Sequence, residues 1–98
     1  MTAFLVAEAQ AILDDAAYQR YRPLGAAAVA SHQGTYLVRG GSAHPLEGDW
    51  RPQRLSILQF PSIEMAKAWY DSPEYQAARR VRDGAVRMRL VAIDASTT

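Results

Sequence analysis

Three observations in the sequence predict an α+β domain. Four short apolar runs of strand length stand at 2–9, 35–39, 54–60 and 87–94. Two helical stretches, with apolar residues recurring at three- and four-residue steps, separate the first run from the second and the third from the fourth. Each junction carries its own cap or turn residues. Strand, helix, two strands, broken helix and strand, with both helical layers on one face of a four-stranded antiparallel sheet, is the ferredoxin-like βαββαβ arrangement. No repeat, low-complexity tract or linker divides the chain, so residues 1–98 are expected to form one domain.

The elements follow in order. TAFLVAEA (2–9) is short, apolar and β-rich, a buried strand. Asp14 is a good N-cap for the helix that begins at Asp15 and runs to Gln33, with Tyr18, Tyr21, Gly25, Ala28 and His32 on one stripe. Pro23 sits inside it and predicts a kink or break near Arg22. Gly34 is expected to end the helix in a left-handed conformation. TYLVR (35–39) is the second strand, and Gly40–Gly41 mark a bulge or a close backbone approach. SAHPLEGDW is expected to prolong that strand and to turn at Glu47–Gly48–Asp49; Pro45, lacking a donor, puts the strand at the sheet edge. RLSILQF (54–60) is the third strand. Pro61–Ser62 open a short helix that stops at AWYDSPEYQ (68–76), where Ser72 and Pro73 have the grammar of a new helix start with Glu74 in its first turn. The second piece runs to about Asp83 before Gly84, and RMRLVAID (87–94) is the fourth strand.

The composition excludes several classes. Of 98 residues 49% are hydrophobic and 21% charged, the balance of a packed globule. Without cysteine the chain has no disulfide, thiolate metal site or thiol nucleophile. MTAFLVAEAQ has no basic segment and meets Glu8 early, so it reads as neither a secretion signal nor a membrane span, and the cytoplasm is the expected compartment. A net charge of +1 does not suit nucleic acid or an anionic membrane as partner. Arg79, Arg80, Arg82, Arg87 and Arg89 form a basic run that reads as solvated, near a helix C-terminus. His32 and His44 lack metal-ligand spacing, and no cofactor motif is present, so neither metal nor cofactor is expected.

The last strand alternates Met88, Leu90, Ala92 with Arg89, Val91, Ile93, and the first alternates Phe4, Val6 with Leu5, Ala7. Both faces are apolar, yet helices shield only one. The second face predicts a homodimer with sheets face to face.

LVRGG (37–41), LEGDWRPQRL (46–55) and QFPSIEMAKAWYDSPEYQ (59–76), with the terminal RLVAID, resemble the domain-of-unknown-function family number 1330 over almost the whole chain. The resemblance implies a dimeric ferredoxin-like α+β barrel, a scaffold also used by small cofactor-free monooxygenases and lactone isomerases, and implies no particular reaction. Two departures stand out: Asp14–Asp15–Ala16 replaces the usual Asp-Pro-Glu helix start, and His44–Pro45 replaces plain strand residues.

Candidate chemistry rests on few residues. Arg39 precedes Gly40 and Gly41, which admit a ligand or another backbone; its guanidinium suits a carboxylate or enolate, or else pairs with Glu8, Glu47 or the partner subunit. His44 titrates near neutrality and is a candidate for proton transfer, though a histidine beside a proline in an edge hairpin is commonly just solvated. Glu8 interrupts an apolar strand and is a candidate base, unless it reaches solvent or an arginine. Trp50 and Tyr75 are candidates to shape a pocket, while Trp69 and Tyr21 read as core. Two functions fit: a cofactor-independent enzyme acting on a small anionic, carbonyl-containing or aromatic molecule by proton transfer, isomerisation or oxygenation, and a non-catalytic dimeric small-molecule-binding or accessory module. They divide on whether Arg39, Glu8 and His44 converge on one enclosed cavity of the dimer.

Overall fold

The computed structural model describes residues 2–97. Strand β1 (Ala3–Ile12) leads to α1 (Asp15–Ser31), then β2 (Thr35–Ser42) and β3 (Arg54–Phe60). Helices α2 (Ile63–Asp71) and α3 (Pro73–Arg82), strand β4 (Val86–Asp94) and a terminal 3₁₀ turn (Ala95–Thr97) complete the chain. The strands form one antiparallel sheet in the order β2-β3-β1-β4. This is the ferredoxin-like arrangement, with β2 at an edge.

One sheet face is covered. Leu5, Ala7, Leu58 and Phe60 pack under Tyr21, Ala28 and Val29 of α1 and under Trp69, Tyr75 and Ala78 of the broken helix. Asp14 caps α1 by accepting from the Ala17 N–H at 3.2 Å. The helix runs unbroken through Pro23. Its missing bond falls on the exposed side, where water reaches the unpaired carbonyl, so the expected break does not occur. The left-handed residue after α1 is Gln33 (φ 62), not Gly34. Gly34 is required for packing instead: a Cβ there would lie 2.7 Å from Phe60 and Val29 side-chain atoms.

The Asp-Ser-Pro corner is tied by one hydroxyl. Ser72 Oγ donates to the Trp69 carbonyl (2.7 Å) and accepts from the Tyr75 N–H (3.1 Å), closing α2 and capping α3 together. Gln76 also reaches back to the Tyr70 carbonyl at 2.7 Å. The corner thereby fixes Trp69, Tyr70 and Tyr75 over the sheet.

β2 carries two register shifts, between Tyr36 and Val38 and between Val38 and Gly41, with Gly40 at φ 68. The glycine pair predicts the second; the first lies in YLVR, which reads as plain strand. β2 stops at Ser42, and residues 43–53 are not strand, contrary to the expected extension through Pro45. Beyond the Ala43 N–H to Gln53 carbonyl bond (3.3 Å), Pro45 has no donor to offer a ladder.

No helix covers the other sheet face. Register places Phe4 beside Ile93, and Val6 between Val91 and Ile57. Val38, Val91 and Ile93 are 41%, 56% and 48% exposed. No helix among the described residues is long and apolar enough to cross a membrane.

Candidate functional site

Between the helical layer and the sheet lies a cleft built by four elements. Its narrow waist, about 70 Å³, is bounded by Tyr21 of α1, by Trp69 and Tyr75 of the corner, and by Leu58, Met88 and Leu90 of the sheet. On the β2 side it adjoins a recess of about 410 Å³, with which it shares Tyr18, Arg22, Arg39, Gly40 and Ser56. That size is at the lower end for small-ligand sites.

The waist is rich in neutral donors. Tyr21 and Tyr75 hydroxyls are hydrogen-bonded at 2.8 Å, both residues buried. Gly25 lets the Tyr21 ring lie along α1, since a Cβ there would sit 3.3 Å from Cζ. The Trp69 ring centroid is 4.2 Å from that of Tyr75, and its indole Nε1–H is buried without an acceptor. A buried donor left unpaired costs roughly 1–3 kcal/mol, so such a group is uncommon unless something else meets it.

Two guanidinium groups flank this cluster. Arg82 lies 5.3 Å from the Tyr21 ring centroid, and its Nε is buried without a partner. Desolvation disfavours its charge, but the neighbouring Tyr75 and Tyr21 hydroxyls outweigh that and hold its pKa above the ordinary arginine value. The reading of the whole basic run as solvated is corrected here: Arg82 and Arg79 are half-buried against Tyr21 and Tyr70. Arg39 lies 4.8 Å over the Tyr36 ring centroid at the mouth. Gly40 donates its N–H to Ser56 Oγ at 2.9 Å and accepts from Arg54 at 2.9 Å, so the bulge is fastened to β3 and holds Arg39 toward the cleft.

Burial, then the adjacent Tyr75, raises the Tyr21 pKa far above the usual tyrosine value, against a smaller opposing effect of Arg82. With the folded pKa above the unfolded one, the unfolded chain loses this proton first as pH rises. The stability carried by neutral Tyr21 is therefore intact below about pH 10 and is lost above it. Urea midpoints between pH 8 and 11 should fall at the alkaline end, and Tyr21→Phe should flatten that fall. Burial likewise raises the Tyr36 pKa, with Arg39 opposing.

The residues singled out from sequence divide between the faces. Arg39, Gly40 and Tyr75 line the cleft. Glu8 and Trp50 line a separate recess with Val6 and Arg89 on the open sheet face, where Glu8 Oε1 is buried without a hydrogen-bond partner. Gly41 lines neither space: it pairs with Leu55, opposite Glu8 on the open face, and a Cβ there would abut Val38 at 2.7 Å. His44 is exposed in the 43–53 loop. Within one protomer, then, Arg39, Glu8 and His44 do not converge. Tyr18, Arg22, Tyr21, Tyr36, Trp69 and Arg82 join the site without having been singled out for it. The helical stripe with Tyr18, Tyr21 and Gly25 pointed to the α1 part of it. Among the described residues no group of three His, Cys, Asp or Glu side chains is placed to hold a metal ion.

Comparison with known proteins places the chain. The family described as a domain of unknown function (DUF1330) matches residues 2–96. A Rhodopseudomonas palustris protein of unknown function superposes with a TM-score of 0.74 at 19% identity, covering 95% of this chain and 81% of its own. A dimeric ferredoxin-like protein of unknown function from Jannaschia sp. CCS1 gives 0.66 at 14% identity, covering 97% and 100%. A Caulobacter crescentus CB15 protein, described provisionally as an antibiotic biosynthesis monooxygenase, gives 0.59 at 16% identity, covering 96% and 89%. At these identities the likeness is one of fold. No curated protein matches the sequence.

Proposed function

We propose, for a chain that belongs to the DUF1330 family along residues 2–96, that each protomer of a homodimer binds a small anionic or carbonyl-containing molecule in the helix-side cleft. The observation that carries this is the buried Tyr21–Tyr75 hydroxyl pair beside the unpaired Trp69 N–H, lying inward of a mouth that bears Arg39 and Arg22. Arg39 holds the anionic oxygen, Gly40 keeps the backbone out of its way, and Tyr75 with Trp69 offers donors to a second oxygen. The dimer reading is supported by the uncovered apolar face and by the dimeric description of fold neighbours.

Neutral donors next to a cation suit an enolate or other developing oxyanion, which favours cofactor-independent proton transfer, isomerisation or oxygenation. A specific observation favours the alternative of binding without catalysis: Glu8 and His44, the candidate proton carriers, lie outside the cleft. In a thermal-shift screen of small carboxylates, phenols and lactones, a ligand at a hundred times its Kd should stabilise the wild type by about 2.7 kcal/mol. For a domain of this size that is roughly 10 °C or more. Arg39→Ala should weaken binding about tenfold and halve the shift. Equal shifts in both proteins would remove Arg39 from the site, and no shift with any compound would defeat the reading.

A further inference from the structure

The waist has a second neighbour. On the β4 side it adjoins another recess of about 410 Å³, with which it shares Leu5, Met88 and Leu90; Lys67, Arg79 and Arg82 line its outer part. Met88 borders all three spaces. The register orders them along the sheet: Ala9 and Ala11 under the first recess, Ala7 beside Leu90 at the waist, and Leu5 beside Ala92 under the second. The two recesses therefore lie on either side of the waist along one line of the sheet, and a trench that joins them would run past Met88.

Its charge is distributed at the ends. Arg22, Arg39 and Arg54 line one recess, with no acidic residue among its lining groups. Lys67, Arg79 and Arg82 line the other, against the single carboxylate of Asp71. Arg79 and Arg82 each keep a buried Nε without a partner, and the groups that act most on Arg82 are tyrosine hydroxyls, not carboxylates. Between the ends the waist has Leu58, Met88 and Leu90 on its sheet side and the Tyr21, Trp69 and Tyr75 rings with their polar atoms on its helix side. At about 70 Å³ it is much smaller than either recess, which suits a thin chain better than a ring.

We propose that the trench takes an elongated dianion: a flexible aliphatic chain with an anionic oxygen group at each end, one held by Arg39 and Arg22, the other by Arg82 and Lys67, and the chain passing Met88 at the waist. The four strand steps from Leu5 to Ala9 set the span between the ends at roughly 10–15 Å. This deepens the cleft reading and rests on it. A medium-length α,ω-dicarboxylate fits the description, and a monocarboxylate of the same chain length satisfies only one end.

Calorimetric titration of the full chain with a series of linear dicarboxylates and their monocarboxylate counterparts tests this. At the optimal length the dicarboxylate should bind at least tenfold more tightly than its counterpart. Arg82→Gln should erase that advantage, and Arg39→Gln should weaken binding of both series. Because Arg82 packs on Tyr21, Met88→Phe supplies a second variant, which should close the waist and also erase the advantage. Equal wild-type affinity for the two series, with Arg39→Gln weakening both, would overturn the dianion and leave the cleft reading standing. Retention of the advantage in Met88→Phe or Arg82→Gln would likewise overturn it. Binding of neither series would sink both.

Discussion

Val91→Glu is expected to yield a folded monomer at concentrations where the wild type is dimeric, with dimer affinity lowered at least a hundredfold. Val91 is 56% exposed beside Val6 on the uncovered sheet face, and Glu8 lies on the same face one rung away. On a free protomer the new carboxylate stays in water and costs little. In a sheet-to-sheet dimer it would be buried among Val, Ile and Phe side chains, on the face that also carries Glu8 and Arg89. An unpaired buried charge costs several kcal/mol, and two such charges enter a twofold interface together. Sedimentation velocity from 1 to 100 μM reads the result. An unchanged dimer would mean that the copies associate through another surface, and a wild-type monomer throughout that range would remove the dimer.

The largest loss of stability is expected for Trp69→Ala, about 3–5 kcal/mol. Trp69 is 2% exposed, and its ring centroid lies 5.5 Å from that of Phe60 and 4.2 Å from that of Tyr75. Truncation removes the indole that joins the end of α2 to the sheet and to the start of α3. The space opens into the waist, so water enters and collapse only partly relieves the loss. Domains of this kind are typically stable by about 5–15 kcal/mol, so the variant should sit near its unfolding threshold at 37 °C. Urea denaturation at fixed protein concentration measures it, the concentration being held because any self-association adds to apparent stability. A loss below about 1 kcal/mol would mean that Trp69 is not the keystone of the corner.

Much of the fold was legible because its signals are local. The caps Asp14, Ser62 and Ser72 and the third strand at 54–60 stand where propensity and turn chemistry put them. The misreadings occur where tertiary context overrides propensity. Gly34 looked like a helix stop, yet it is small because Phe60 and Val29 crowd it, a contact made across the sheet. Pro23 looked like a break, yet its lost bond faces water. The residues before Glu47 looked like a continuation of β2, yet the ladder ends at Ser42, ahead of Pro45.

The site was less legible. Arg39 was found because a charged residue before two glycines is unusual in a strand. Arg82 was hidden in a run of arginines that looked alike on a linear sequence; only the helical phase of α3 turns that one toward Tyr21. Tyr21 and Trp69 read as core, and they are, but core residues at the edge of a cleft also carry polar atoms. Glu8 shows the opposite case. A carboxylate in an apolar strand invites a catalytic reading, while strand alternation sends it to the face away from the cleft.

The claim on which the account turns is that ligand enters between the helices and the sheet. The two indole N–H resonances separate the possibilities in one titration, since Trp69 lines the waist and Trp50 the open-face recess. With ¹⁵N-labelled protein and a linear dicarboxylate, the Trp69 Nε1–H signal should move progressively and saturate, as its unpaired donor gains a neighbour, while the Trp50 signal holds still. A moving Trp50 signal over a stationary Trp69 would contradict the account and place the ligand on the opposite face of the sheet.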